Sequence, residues 1–192
     1  GLHELTEIGS KRGFTIDEKD QLFPMYGSGS GEKISPGNGF LSRKDFIEIL
    51  KAAAERNITV IPQISFPSHA RSAVIAMKAR YENFLEKGNI KAANEYRLHD
   101  PDDSSEYTSA QLFKDNTICI CQPSAFRFFD KIFNEIKAMY SEVNLPIKTF
   151  NIGADELPFG VWMKSPLCNE LLEKSKEINS FQDLYNYSVK RL

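Results

Sequence analysis

A capped amphipathic helix runs almost without pause into an apolar segment, and the chain does this twice. Ser42 opens the first helix, with Phe46, Ile49, Leu50 and Ala53 at helical spacing. Ile58-Thr59-Val60-Ile61-Pro62-Gln63-Ile64 follows at once and reads as a buried strand. Pro62 lacks an N–H, so it belongs at a strand end or a bulge. Phe66-Pro67-Ser68-His69 turns the chain into a second helix that extends to about Lys87. A third helix spans about Ser124 to Val143, with Phe128, Ile132, Ile136 and Met139 on one face, and residues 147–152 form the next strand. Helix, strand, helix, strand with short junctions is the pattern of an α/β fold, either a parallel sheet or a (β/α)8 barrel. In a barrel, reactive groups sit where strands give way to the following helices. His69 and Asp155-Glu156 both fall at such ends.

The run Ile147-Lys148-Thr149-Phe150-Asn151-Ile152 leads into Gly153-Ala154-Asp155-Glu156-Leu157-Pro158. Small residues let the backbone turn sharply and let another group approach closely. Two adjacent acids at the end of a buried strand cost desolvation and mutual repulsion. An enzyme uses that arrangement to keep one carboxyl protonated beside a charged neighbour. The plain alternative is a polar strand-to-loop junction in which Asp155 caps a helix.

The chain has 192 residues, 41% hydrophobic and 26% charged, with net charge −2, enough for one domain with a sizeable core. No apolar run reaches the roughly 18 residues of a membrane span. The 24 Lys and Arg are scattered among 26 Asp and Glu, which argues against nucleic acid as a partner. Gly1 to Glu7 lack a signal-peptide pattern and an initiator Met, so the numbering is expected to begin at a processing site, an engineered boundary or inside a longer gene product. Cys119, Cys121 and Cys168 make an odd count without a metal-binding pattern. Cys119 and Cys121 alternate along Ile118-Cys119-Ile120-Cys121 and read as buried small hydrophobes. One disulfide involving Cys168 can form, with a partner that the sequence does not fix. Asn57-Ile58-Thr59 and Asn186-Tyr187-Ser188 are glycosylation sequons, informative only on a secretory route. Residues 9–40 hold Gly27, Gly29, Gly31, Gly37 and Gly39 and read as a long irregular loop, while residues 88–122 form a long polar excursion.

Several stretches, taken in order, resemble the β-N-acetylhexosaminidases of glycoside hydrolase family 20, above all their bacterial chitobiase branch. Gly1-Leu2-His3-Glu4-Leu5-Thr6-Glu7-Ile8-Gly9 is similar to the segment after the family's second barrel strand. Pro67-Ser68-His69-Ala70-Arg71 resembles its Pro-Gly-His-Ala-Arg turn, continued by Ala76-Met77-Lys78-Ala79-Arg80-Tyr81. Tyr96-Arg97-Leu98 with Asp100-Pro101 sits in the family's excursion. Gly153-Ala154-Asp155-Glu156 resembles Gly-Gly-Asp-Glu, and Gly160-Val161-Trp162 with Lys164-Ser165-Pro166 extends the match. The resemblance implies release of terminal β-linked N-acetylglucosamine or N-acetylgalactosamine from a glycan, with retention of configuration. It implies a substrate-assisted mechanism, an exception to the two-carboxylate scheme. By position, Glu156 resembles the general acid. Asp155 resembles the carboxylate that orients the substrate acetamide, and His69 the histidine that tunes the acid. Trp162 is expected to pack rather than to stack on sugar. No metal or organic cofactor is implied, and the setting is expected to be extracytosolic: secreted, periplasmic or lysosomal.

Three positions depart from the family pattern. Gln63-Ile64-Ser65 replaces Glu-Ile-Asp, Asn151 replaces a His, and Ala154 replaces the second Gly of the acid motif. The catalytic pair stays intact while its surroundings are thinned. A (β/α)8 barrel needs about 250 residues, so the chain is expected to be a partial catalytic domain over 1–192, an incomplete barrel section. The missing strands are expected from the rest of the polypeptide or from another chain, and the 192 residues alone are expected to be inactive. Two readings follow: a hexosaminidase acting through Asp155 and Glu156, or a catalytically decayed relative that binds carbohydrate or serves as structure. Retention of Asp155, Glu156, His69 and Arg71 favours the first, and Gln63, Ser65, Asn151 and Ala154 favour the second.

Overall fold

The computed structural model describes residues 1–28 and 37–192. Gly29 and Gly31 of the expected glycine-rich loop lie outside these residues. Helices α1 (Glu4–Glu7), α2 (Arg43–Ala54), α3 (Arg71–Glu86), α4 (Ile90–Glu95), α5 (Pro123–Glu142), α6 (Pro166–Lys174) and α7 (Phe181–Arg191) follow in chain order. Sequence chemistry sets their starts. At α2, Ser42 and Asp45 form a reciprocal capping box. Pro123 occupies the first turn of α5, and Pro166 that of α6, behind the cap Ser165. α2 presents Ile47 and Leu50 to the interior and leaves Ile49 outward, a correction to the expected stripe.

The two expected strands are not regular ladders. Among the described residues, segments 58–66 and 147–152 meet at a single parallel bridge, Gln63 with Asn151. Asn151 N–H donates to Pro62 O at 2.9 Å, Ile64 N–H to Asn151 O at 3.0 Å and Phe66 N–H to Ile152 O at 2.9 Å. The parallel relation expected from the sequence is therefore present, but over few residues. Pro62 and Pro67 bring no N–H to extend it. Upstream, Ile58 and Ile61 are exposed, and the Val60 carbonyl is taken by the Tyr140 hydroxyl at 2.9 Å.

The core gathers where these segments end. Phe66 is fully buried, packing against Phe126 and, edge-on, against Phe129, with Phe150 beside Phe129 and Phe133. Removing such a ring costs about 3–5 kcal/mol, so the residue just before the Pro67-Ser68-His69 turn is firmly held. α3 packs against α1 and α4, and α2 against α5.

The polar excursion is less loop-like than its composition implies. It contains α4, and Asn116, Thr117, Ile118, Cys119 and Ile120 thread through the core. Ile118 N–H donates to Pro67 O and Cys119 N–H to Leu98 O, each at 2.8 Å. Trp162 is buried and its Nε1 donates to Ile118 O at 3.1 Å, in line with a packing role. Cys121 corrects the expectation of a free small hydrophobe, because it is disulfide-bonded to Cys168. Cys119 stays a buried thiol, its Sγ 4.0 Å from that of Cys168, and burial pushes its pKa up to about 12.

Candidate active site

Two turns converge at the site. The first, Pro67 to Arg71, follows the anchored Phe66 and places His69 at φ +53° just before α3. His69 is not the helix cap, since that position belongs to Ala70 and no side chain bonds there. The second turn begins where residues 147–152 end. Asn151 Oδ1 accepts the Gly153 N–H at 2.8 Å and closes the turn on itself. Gly153, at φ +67°, passes so near Ser65 that an added Cβ would lie 3.1 Å from the Ser65 Cα. Ala154 and Glu156 follow at φ +68° and +50°. Left-handed backbone at non-glycine residues is costly and collects at working sites.

The turns are tied together. Ser68 Oγ donates to the Asp155 carbonyl, and the Tyr185 hydroxyl of α7 donates to the Ala154 carbonyl at 2.6 Å. His69 Nε2 then stands 3.4 Å from Glu156 Oε2 and 3.7 Å from Asp155 Oδ2. Gln111 Nε2, from the excursion, donates to Glu156 Oε2 at 2.9 Å. All three site residues expected from the sequence are thus brought together. The expected desolvation is not found, because the Asp155 and Glu156 side chains are 68% and 53% exposed. Asp155 caps no helix either; the next helix, α6, is capped by Ser165.

Behind His69, Arg71 holds the surrounding loops. Its guanidinium makes two hydrogen bonds to Glu18, at 2.8 and 2.7 Å, and two to Asp115, at 2.7 and 2.9 Å. Burial opposes the Glu18 charge, but the bonds from Arg71 and the Phe23 N–H outweigh it and hold the Glu18 pKa below its ordinary value. Arg71 is held charged by the same acids against its own burial.

The sulfurs of Cys119, Cys121 and Cys168 lie within 4.8 Å of one another. The disulfide occupies two of them, which removes this group as a metal-binding set in the structure. Sequence reasoning did not single out Ser68, Gln111 or Tyr185 for the site. An exposed glutamine in a polar loop carries no pattern, and Tyr185 lies on a helix that was not anticipated.

The family model for the catalytic domain of glycosyl hydrolase family 20 matches residues 1–192. The chain belongs to this family. It is 37% identical over 192 residues to a β-hexosaminidase B of Pseudoalteromonas piscicida, covering all of this chain and 25% of that protein. It is 46% identical over 157 residues to an N,N'-diacetylchitobiase of Vibrio harveyi, covering 81% of this chain and 18% of that protein. Its structure resembles a family 20 exo-β-N-acetylglucosaminidase of Vibrio harveyi solved with N-acetylglucosamine. The TM-score there is 0.77 at 32% identity, over 99% of this chain and 25% of the other. The chain therefore spans a quarter or less of the length of these family 20 relatives.

Proposed function

We propose that this chain is the part of a chitobiase-like β-N-acetylhexosaminidase that supplies its acid pair and histidine. The whole enzyme would hydrolyse terminal β-linked N-acetylglucosamine or N-acetylgalactosamine by a retaining, substrate-assisted route. In that route the substrate's acetamido oxygen attacks the anomeric carbon as the bond to the leaving oxygen breaks, and Glu156 gives that oxygen its proton. Asp155 orients the acetamide and offsets the positive charge of the oxazolinium that forms. Water then attacks the anomeric carbon from the face that the leaving group vacated, breaking the bond to the acetamido oxygen and giving a proton to the Glu156 carboxylate, so configuration is retained. His69 spans both carboxyls and holds their relative placement. The observation that carries the reading is this convergence of His69 on Asp155 and Glu156, within a chain of family 20.

The exposure of both acids supports the view that the remaining walls of the sugar pocket, and the rest of the barrel, come from additional polypeptide. Accordingly, the 192 residues alone would not turn over substrate. The extracytosolic setting expected from the sequence remains part of the proposal.

The test is hydrolysis of N,N'-diacetylchitobiose, whose sugar leaving group needs protonation, by the natural full-length protein beside its Glu156→Gln variant. Turnover that falls by about 10²–10⁴ in the variant supports the acid role. A folded full-length protein without activity overturns it in favour of a carbohydrate-binding or structural relative. Ser65 and Asn151 are the departures that would then carry the blame.

A further inference from the structure

We propose that Gln111 is a positioning residue for Glu156, selecting which oxygen of the carboxyl carries the proton. The inference rests on the reading of Glu156 as general acid and deepens it. The Gln111 amide donates to Glu156 Oε2, the same oxygen that His69 Nε2 approaches at 3.4 Å. The carbonyl-like oxygen of a protonated carboxyl is a stronger acceptor than its hydroxyl oxygen, so an N–H donor on Oε2 favours the proton on the other oxygen. The proton to be delivered then sits on the other oxygen, turned away from both partners. A neutral amide does this without the positive charge of Lys or Arg, which would favour the deprotonated form.

A glutamine on the surface touching an exposed carboxylate is often a passing contact, and the backbone around Gln111 argues against that here. Ser109 N–H donates to Phe113 O at 2.8 Å, Phe113 N–H to Ser109 Oγ at 3.0 Å, and Leu112 N–H to Ser109 O at 2.8 Å. This closed turn holds Leu112 at φ +65°, a conformation that a leucine avoids unless its surroundings impose it. The turn is moored from beneath. The Phe113 ring lies under the Arg71 guanidinium at 5.1 Å, and Asp115 is ion-paired to the same group. Arg71 stands two residues after His69. Both contacts that reach Glu156 Oε2 therefore hang on one stretch, Pro67 to Arg71: His69 directly, and Gln111 through the moored turn.

The test compares the natural full-length protein with its Gln111→Met variant, which keeps side-chain length and removes the donor. Two probes are used: N,N'-diacetylchitobiose, whose sugar leaving group needs protonation, and an aryl N-acetyl-β-glucosaminide whose phenolate leaves with little help. Proton delivery that depends on Gln111 predicts that the ratio of kcat on chitobiose to kcat on the aryl substrate falls about tenfold, with KM little changed. An unchanged ratio, or a change confined to KM, overturns the proposal. A parent protein that hydrolyses neither probe overturns the enzymatic reading itself, and this inference with it. Gln111 is exposed, so the variant is expected to unfold at the parent's temperature, which a thermal scan checks.

Discussion

The Tyr185 hydroxyl reaches across from α7 to the Ala154 carbonyl, 2.6 Å away, and helps hold the residue before the acid pair in a left-handed conformation. Ala154 at φ +68° pays a steric penalty that glycine avoids. Ala154→Gly is expected to stabilise the protein by about 1 kcal/mol, read as a higher denaturation midpoint at constant slope. Tyr185→Phe should lower stability by about 1 kcal/mol, as a lost hydrogen bond at a half-buried site does. A destabilised Ala154→Gly variant would show that the methyl group packs usefully there.

Arg71 and Glu18 are both buried and doubly hydrogen-bonded. Arg71→Met strands Glu18 and should cost about 3–5 kcal/mol. The double variant Arg71→Met/Glu18→Gln should recover a large part of that loss, because no uncompensated charge remains. Denaturant unfolding of all four proteins measures the coupling. Strict additivity would mean that Glu18 is satisfied without Arg71.

Stability should fall on mild acidification, through His99. Its ring packs against Tyr81, and its Nδ1 has no hydrogen-bond partner among the described residues. Burial, reinforced by the nearby charges of Lys78 and Arg97 against the opposing Asp100, pushes its pKa from 6.5 down to about 4. A depressed histidine stays neutral when folded and gains its proton on unfolding. Its contribution is therefore complete above the unfolded pKa of 6.5 and is lost as pH falls from there toward 4. Between about pH 7 and pH 4.5 the protein should lose about 2–3 kcal/mol more than its His99→Phe variant. Equal losses in the two proteins would remove His99 as the cause.

The three-sulfur cluster predicts unequal effects of two serine substitutions. Cys168→Ser removes the bridge that joins positions 47 residues apart, which should cost about 4 kcal/mol on the loop-closure argument. Cys121→Ser leaves Cys119 with its Sγ 4.0 Å from that of Cys168, close enough to pair after a small side-chain shift. Oxidised Cys121→Ser should therefore contain a Cys119–Cys168 disulfide and lose less stability. Peptide mapping without reduction distinguishes the outcomes, and free thiols at both positions would refute the prediction.

Much of the scaffold was legible in the chain. The starts of α2 and α3 followed from Ser42 and the Pro67 turn, because caps and prolines act within a few residues, and α5 begins at Pro123, one residue before the expected Ser124. α6 and α7 had comparable signals, with Ser165 accepting from the Cys168 N–H and Ser180 from the Asp183 N–H, but they were not read as helices. The two strand-like runs were legible in their parallel relation and not in their extent. Pairing depends on what lies alongside, and Ile58 and Ile61 face outward rather than into a core. The polar composition of residues 88–122 hid a buried crossing at Asn116 to Ile120, whose backbone is satisfied by Pro67 and Leu98 far away in sequence.

The sequence by itself determined the family, the starts of α2, α3 and α5 to within a residue or so, and the presence of Asp155, Glu156 and His69 at the ends of strand-like runs. Those features are local, set by spacing, capping and turn chemistry over a handful of residues. The tertiary structure decided which side chains meet. It brought His69 within 3.4 Å of Glu156 across 87 positions, added Gln111 from the excursion and chose Cys121 over Cys119 as the partner of Cys168. Such choices are fixed by packing around Phe66 and by hydrogen bonds between distant segments, which a linear pattern of residue types does not encode.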